Sequence, residues 1–223
     1  MNFRHELKHE INALDAMVIR QRLQEVMKPD PYAEDGRYQI RSLYFDNLSD
    51  KALREKLDGV NGREKFRIRY YNGDLSLIHL EKKQKVNNLT CKESASLTKE
   101  EVQAILEGDC GFMASSSHGL VTELYSKMKS QGLAAKTVVD YIREPFVYGP
   151  GNVRVTLDHD IRTGMSSTDF LNPDSVTVPA GDAVIIMEVK WDAFLPDVIR
   201  HALQLSGRMA GAYSKYAACR IYG

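Results

Sequence analysis

Polar and apolar residues alternate one by one along Arg63–Tyr71, a stretch with the aromatic and β-branched residues that strands favour. Successive side chains of a strand point to opposite faces of its sheet, so the alternation predicts a strand with one apolar and one cationic face. Like charges spaced by about 6.6 Å repel unless water or an anion faces them. The stretch is therefore either a half-buried strand with a solvated basic face or one wall of an anion-binding site. Its cations are Arg63, Lys65, Arg67 and Arg69.

The same two-residue period recurs along the chain and predicts further strands. Several of them repeat the arrangement of one apolar face and one face of ordered charge. Residues 163–182 are polar and rich in Gly, Ser, Asn and Pro, which predicts a long loop. The further predicted strands are Phe3–Ile11, Tyr38–Phe45, Leu75–Lys85, Cys91–Leu97, Leu133–Val147, Val153–Ile161 and Ala183–Trp191.

Apolar residues at helical spacing predict helices between these strands. Asn12 is a candidate N-cap for the first helix, and Thr98 with Glu101 forms a capping-box pattern before another. Ser49 or Asp50 is the candidate cap of a short helix. The predicted helices run from Asn12 to about Met27, from Ser49 or Asp50 through Leu57, from Thr98 to about Leu106, and over His118–Gln131 and Leu195–Leu205.

The charged faces of the predicted strands are rich in Arg and carry Glu beside the cations. A sandwich with solvated outer faces usually mixes Thr, Ser, Gln and Lys there instead. A closed barrel accommodates the pattern better, because its apolar side chains face outward against helices and its charged side chains face a hydrated lumen. The prediction is therefore an α+β fold, a closed antiparallel β-barrel with a charged lumen and flanking helices. With no repeat and no clear linker, residues 1–223 are expected to form one domain.

Composition limits the function classes. The 223 residues contain 30 Lys plus Arg and 30 Asp plus Glu, so the net charge of zero argues against a general nucleic-acid binder. Three scattered cysteines and a charged N-terminus predict a cytoplasmic protein with reduced thiols and no secretory signal. No apolar run reaches the roughly 20 residues of a membrane span, so any association with a membrane requires a separate partner.

Arg and Lys in a lumen suit a polyanion, since Arg binds phosphate oxygens in bidentate fashion and Lys supplies point charge. The interleaved Glu6, Glu81 and Glu188 suggest a divalent cation that is held by carboxylate oxygens while bound phosphates complete its coordination. For Glu6 and Glu81 an alternative stays open, because cross-strand salt bridges with Lys8 and Lys83 explain them equally well.

Other candidates are interpreted as structural. His5, His9 and His79 lack the spacing of a metal site with a cysteine or a third histidine, so they are assigned to packing or to the surface. Tyr44 is expected in the core or at its rim rather than in a platform that stacks a base.

Eight short motifs in a fixed order resemble the VTC-type polyphosphate polymerase domain, a branch of the CYTH-like triphosphate tunnel metalloenzymes. The resemblance spans nearly the whole chain. The motifs are Glu6-x-Lys8, Arg41-Ser-Leu-Tyr-Phe-Asp46, Lys65-x-Arg67-x-Arg69-Tyr-Tyr, Glu81-x-Lys83, Tyr141-x-Arg143, Arg154-x-Thr-x-Asp158, Glu188-x-Lys190 and Ser214-Lys215-Tyr216.

The resemblance implies a closed β-tunnel in which the terminal phosphate of ATP is moved onto polyphosphate with Mn²⁺ or Mg²⁺. The implied ligands are a nucleoside triphosphate and polyphosphate or other phosphate anions. Two alternatives remain: a tripolyphosphatase or nucleoside triphosphatase of the same fold, and a non-catalytic polyphosphate-binding module.

The resemblance also implies roles for individual residues. Arg41 has an alternative role, in which it pins the end of its strand through Asp46. The implied catalytic residues are Arg67, Arg69, Lys83, Arg143 and Lys215; the implied substrate-binding residues are Lys8, Arg41, Lys65, Lys85, Tyr141, Arg154, Lys190 and Ser214; the implied metal ligands are Glu188, Glu6 and Glu81.

Overall fold

The computed structural model describes residues 4–87, 89–205, 207 and 209–221. The strands are β1 (His5–Ile11), β2 (Lys28–Pro29), β3 (Tyr38–Asp46), β4 (Arg63–Tyr71), β5 (Asp74–Val86), β6 (Leu89–Leu97), β7 (Ala134–Tyr148), β8 (Val153–Thr163), β9 (Val178–Pro179) and β10 (Ile185–Trp191). They form one antiparallel sheet in the order β1-β10-β8-β7-β3-β4-β5-β6, with β2 paired to β7 and β9 paired to β8.

The α-helices are α1 (Ala13–Val26), α2 (Lys51–Leu57), α3 (Lys99–Glu107), α4 (Gly119–Gln131), α5 (Asp197–Ala202) and α6 (Lys215–Ile221). Short 3₁₀ turns cover Gly111–Ser115 and Pro150–Asn152. Both predicted caps of the longer helices are confirmed. The side chain of Asn12 accepts from the backbone N–H of Asp15 at 2.9 Å, and Thr98 and Glu101 form a reciprocal capping box before α3.

Helix α2 begins differently from the sequence prediction. Asp50 occupies its N-cap with a left-handed φ of 52° and makes no side-chain cap. The carboxylate of Asp50 instead contacts Arg220 at 2.8 Å. Other side chains satisfy the first N–H groups of α2. Asn47 accepts from Lys51 at 3.0 Å, and Asp46 at the end of β3 accepts from Ala52 at 2.9 Å and from Leu53 at 3.1 Å.

The C-terminal helices depart from the prediction in length and existence. The predicted helix over Leu195–Leu205 is limited to Asp197–Ala202, after Pro196 at its N-cap. Helix α6 was not predicted, because seven residues with most side chains buried show no helical alternation of polar and apolar positions. The tail therefore folds into a helix that local pattern alone does not reveal.

Helices cover the apolar face of the sheet, as predicted. Helices α1 and α5 pack on β1, β10, β8 and β7 through buried side chains that include Ile19, Leu23 and Ile199. Helices α3 and α4 pack on β3 to β6 through side chains such as Val102 and Leu124. The opposite face of the sheet is left for the charged side chains.

Side chains from strands far apart in the strand order meet over that second face. The Nζ atom of Lys83 on β5 lies 2.6 Å from a carboxylate oxygen of Glu6 on β1. The sheet is therefore curled toward the charged side into a half-barrel. Its outer strands also meet at one backbone bridge, where Arg4 N is 3.1 Å from Thr90 O and Thr90 N is 3.3 Å from Arg4 O.

The expectation of a closed barrel is wrong. Among the described residues, β1 and β6 form no further ladder beyond that bridge. The next part of the β1 edge pairs with a C-terminal segment: the N–H of Gly211 donates to Lys8 O at 2.8 Å, and His9 bridges Ala210. Because this segment takes hydrogen bonds that closure with β6 would need, the charged side chains line a concave face rather than an enclosed lumen.

Helix α6 packs on the concave side, where it contacts β7, β8 and α2. The ring of Tyr216 stacks on Tyr44 with centroids 5.0 Å apart, and the Tyr216 hydroxyl donates to Asp46 at 2.7 Å. These contacts place Ser214 and Lys215, at the start of the helix, beside the charged side chains of the sheet. No helix within the described ranges is long and apolar enough to cross a membrane.

Candidate functional site: a concave face with more cations than carboxylates

The concave side of the half-barrel, which we call the charged face, gathers ionic side chains from β1, β4, β5, β7, β8, β10 and α6. The members on strands share inward parity, and most members contact one another across several strands. The cations are Lys8, Lys65, Arg67, Arg69, Lys83, Lys85, Arg143, Lys190 and Lys215, and the carboxylates are Glu6, Glu81, Asp158 and Glu188.

On β4 and β5, two arginines share one buried carboxylate. Arg67 contacts Glu81 through Nε at 2.8 Å and Nη2 at 2.6 Å, and its Nη1 donates to the Tyr44 hydroxyl at 2.9 Å. Arg69 lies 3.8 Å from the same carboxylate and donates to the Tyr141 hydroxyl at 2.8 Å. Glu81 thus orients guanidinium groups whose charge it neutralises only in part.

A second group forms where β1 lies beside β10. Glu188 lies 3.7 Å from the ammonium of Lys8 and 3.4 Å from that of Lys190. Glu6 contacts Lys83 at 2.6 Å and approaches Lys8 at 3.6 Å and Lys190 at 3.8 Å. Two carboxylates are therefore shared among three ammonium groups.

The third group joins β7, β8 and α6. Arg143 binds Asp158 through two hydrogen bonds of 2.6 and 2.7 Å and reaches Glu188 at 3.4 Å. Lys215 contacts the same aspartate at 2.5 Å, and its ammonium lies 4.6 Å from the ring centroid of Tyr141. Glu188 thereby links this group to the one on β1 and β10.

A cavity of about 570 Å³ opens on the charged face beside β1. Its lining includes Lys8, Lys65, Lys83 and Lys85, and Ser214 at the start of α6. The Ser214 hydroxyl accepts from the backbone N–H of Ala217 at 3.4 Å, as a helix-capping side chain does. The structure thus brings these five predicted residues together around space that is large enough for a ligand.

The pKa values at this face reflect crowded positive charge. Burial and repulsion from Lys83, Lys8 and Arg67 lower the pKa of Lys65 to about 7, although Tyr44 opposes the shift. Burial by itself raises the pKa of the Tyr44 phenol, but the charges of Arg67, Lys65 and Arg69 lower it to about 7. An anion bound here would offset the positive charge that contributes to both shifts, and it would raise both pKa values.

Lys83 shows the same effect, because burial and repulsion from Lys8 and Lys190 lower its pKa to about 8 despite the attraction of Glu6. The same positive charge also lowers the pKa values of the carboxylates, because it favours their ionised form. Burial opposes ionisation of Glu188, but Lys190, Lys8 and Lys83 hold its pKa well below the usual range. All four carboxylates of the charged face are ionised near neutral pH, since their pKa values are lowered.

The structure does not bring Arg41 to the charged face. Arg41 points to the opposite face of β3, where it binds Asp140 through hydrogen bonds of 2.9 and 2.7 Å and contacts Ser175 at 2.8 Å. Pinning through Asp46 is also wrong, because Asp46 caps α2. Arg154 lies on the inward parity of β8, but its Nη2 contacts the buried Asp30 at 2.9 Å.

The candidate metal ligands separate into a pair and a single residue. Glu6 and Glu188 share the same lysines, whereas Glu81 is held by Arg67 and Lys92 rather than by Lys83. Within the residues that the structure describes, no three His, Cys, Asp or Glu side chains form a metal-binding group. The pair Glu6 and Glu188 fits a divalent cation whose other ligands are phosphate oxygens and water, the mode that Mg²⁺ commonly uses.

Sequence reasoning missed three groups at this face. Tyr44 is buried in the core, as predicted, but its hydroxyl also contacts Arg67, a role that the sequence did not indicate. Asp158 belongs to one of the eight motifs, but the sequence did not indicate its role, which is to hold Arg143 and Lys215. Inward parity on the strand was an available signal for both. Lys56 also lines the cavity but lies on α2, so no strand alternation could have identified it.

Comparison with known proteins places the chain in a family. The sequence profile of the VTC domain matches residues 3–221, so the chain belongs to the VTC domain family, as its motifs indicated. No curated protein matches this chain.

The chain was also compared in three dimensions with solved structures. A putative adenylate cyclase from Bacillus halodurans is 14% identical, with a TM-score of 0.53 over 90% of this chain and 84% of that chain. The PH1012 protein from Pyrococcus horikoshii OT3 is 12% identical, with a TM-score of 0.48 over 95% and 96% of the two chains. The first likeness supports the fold alone. Membership of the VTC domain family, and not this likeness, agrees with a function that involves polyphosphate or triphosphate.

Proposed function

We propose that this protein is a metal-dependent phosphotransferase that moves the terminal phosphate of ATP onto polyphosphate. The observation that carries the proposal is the excess of cations over carboxylates on the charged face of a chain with no net charge. An internal salt-bridge network needs no such excess. A bound polyanion supplies the missing negative charge.

The proposed chemistry is positioning and charge neutralisation without a covalent nucleophile. Arg67, Arg69 and Arg143 have guanidinium groups already oriented by carboxylates and hydroxyls, so they are prepared to bind phosphate oxygens in fixed directions. Lys83 and Lys215 add point charge close by. Such preorganised donors stabilise the charge of a transferring phosphoryl group in a site of low dielectric constant.

Glu6 and Glu188 would hold the divalent cation, Mn²⁺ or Mg²⁺. When bound, that cation neutralises charge on the phosphates and orients them for in-line transfer. The acceptor phosphate is already anionic at neutral pH and needs no general base, and the ionised carboxylates of Glu6 and Glu188 are in the form that a metal ion requires.

Incubation of purified protein with ATP and Mn²⁺ tests the proposal, with products resolved by phosphorus NMR and gel electrophoresis. Long-chain polyphosphate together with ADP is the expected outcome. Orthophosphate and ADP alone would identify a triphosphatase that uses water as acceptor. A lack of turnover with tight, salt-sensitive binding of added polyphosphate, retained in a chelator, would identify a binding module.

A further inference from the structure

The hydroxyl of Thr156 is buried on β8 without a hydrogen-bond partner. Among the described residues, the buried side-chain polar atoms in this condition are Thr156 Oγ1, Arg154 Nε and Arg220 Nε. The first two belong to residues two apart on one strand, so they lie on the same face of the sheet. Buried polar groups in native proteins are rarely left unpaired, so two neighbouring examples indicate a missing partner.

That face is the charged face. Thr156 is 3% exposed and pairs with Glu188 on β10 and with Pro145 on β7. Asp158, two residues further along the strand, holds Arg143. The hydroxyl therefore lies among the ionic groups of the site, and the proline ring beside it offers no hydrogen-bonding atom.

The other buried threonine at the far end of β8 shows what a structural hydroxyl looks like. Thr163 donates to Cys219 O at 3.2 Å and accepts from the N–H of Met165 at 2.9 Å. It also lies 3.4 Å from the hydroxyl of Thr137. The Thr163 hydroxyl thus finds its hydrogen-bond partners within the protein, as expected of a structural residue, whereas the Thr156 hydroxyl has none there.

We propose that Thr156 is a further binding residue of this site, whose hydroxyl donates a hydrogen bond to a phosphate oxygen of the bound polyanion. The inference rests on the proposed function. The Nε–H of Arg154 is the second donor of this subsite, because Asp30 holds the Nη2 end of the same guanidinium at 2.9 Å and leaves Nε–H free. The unpaired hydroxyl destabilises the free protein, and the ligand removes that cost.

Three variants test the proposal by calorimetric titration with tripolyphosphate in a chelator and by thermal unfolding of the ligand-free protein. T156V keeps the shape and removes the hydroxyl, T156S keeps the hydroxyl, and T163V removes a satisfied hydroxyl on the same strand. We expect T156V to bind about tenfold more weakly than wild type. Its melting temperature should be equal to or above that of wild type. T156S should bind nearly as wild type does, and T163V should melt at a lower temperature.

Tripolyphosphate binding by T156V that equals wild type would overturn the inference, because the hydroxyl would then serve a buried water or nothing. A melting temperature of T156V lowered as much as that of T163V would also overturn it, since the hydroxyl would be structural. If wild type itself fails to bind tripolyphosphate, the proposed function fails first. Wild-type binding with an unchanged T156V refutes only the role of Thr156.

Discussion

Lys82 and Lys83 are neighbours on β5 but point to opposite faces of the sheet, and they show how a structural ion pair differs from a ligand site. On the helix-covered face, Lys82 contacts Glu123 at 2.5 Å, Glu64 at 3.7 Å and Glu93 at 3.8 Å. On the charged face, Lys83 has one close carboxylate, Glu6, at 2.6 Å.

The pKa values of the two lysines shift in opposite directions. Burial lowers the pKa of Lys82, but its hydrogen bond with Glu123 and the other carboxylates raise it overall. Burial and the surrounding ammonium groups lower the pKa of Lys83 to about 8. Carboxylates thus predominate around Lys82 on the helix-covered face, whereas ammonium groups predominate around Lys83 on the charged face. Both faces carry charged side chains, and an excess of positive charge is what distinguishes the candidate site from the helix-covered face.

The largest expected contrast is between arginines on the two faces. Arg67→Ala should weaken tripolyphosphate binding by about 100-fold, the loss of two charge-assisted hydrogen bonds. The fold should persist, because Glu81 keeps Arg69 and Lys92 nearby. Calorimetric titration and thermal unfolding measure both effects.

Arg41→Ala is the matched control from the other face. It leaves Asp140, which is 7% exposed, without its bidentate partner, so we expect a loss of about 3–5 kcal/mol in the free energy of unfolding. Tripolyphosphate affinity of the folded variant should stay at the wild-type level. Equal binding losses in Arg67→Ala and Arg41→Ala would contradict the division between the faces.

Glu188→Gln should separate binding from turnover. Removing one negative charge from a polyanion site should preserve or strengthen tripolyphosphate binding in a chelator. Turnover of ATP with Mn²⁺ should fall by roughly 100-fold, as when one electrostatic group of a transition state is lost. Glu144→Gln is the control, because Glu144 pairs with Arg20 on the other face, at 2.6 Å. Unchanged turnover in Glu188→Gln would remove this residue from the proposed metal site.

Methionine substitutions at Lys82 and Lys83 test separately the two faces of the sheet at β5. Lys83→Met should weaken tripolyphosphate binding by about tenfold and leave stability nearly unchanged, because Lys8 and Lys190 remain near Glu6. Lys82→Met should lower the free energy of unfolding by about 1–3 kcal/mol and should leave binding intact. This loss is smaller than for a fully buried ion pair, because the partner carboxylates are partly exposed. A binding loss in Lys82→Met together with a stability loss in Lys83→Met would show that the site lies on the other face.

The smallest expected effect is the pH dependence of binding. Lys65 and Lys83 have pKa values of about 7 and 8 in the free protein, and a bound anion raises both values. Binding therefore takes up protons, so affinity should be greatest at pH 6 and should fall as pH rises toward 9. Titrations in buffers of different ionisation enthalpy measure the proton uptake. Lys65→Arg, which stays charged, should flatten the profile, and an unchanged profile would exclude Lys65 as its source.

Much of the site could be predicted from the alternation within single strands. The cations of β4 and the charged pairs of β1, β5 and β10 lie on the face that the two-residue period assigned to them. Arg41 shows the limit of this reasoning. Nearly every residue of β3 is buried, so its polarity pattern does not reveal which parity faces the charged side. The pairing of Ser42 with Arg69 and of Tyr44 with Arg67 identifies the inward residues of that strand.

Local sequence patterns were sufficient to predict the eight long strands, the charged parity of most of them, two helix caps and the family, but not the two-residue strands β2 and β9. Which charged side chains contact one another depends on the tertiary structure, as in the contact of Lys83 with Glu6, 77 residues away. The half-barrel form of the sheet is also a property of the tertiary structure, because residues near Gly211 occupy part of the β1 edge. The division has one physical cause: alternation is a local property of the chain, whereas partners across a curled sheet depend on non-local pairing and register.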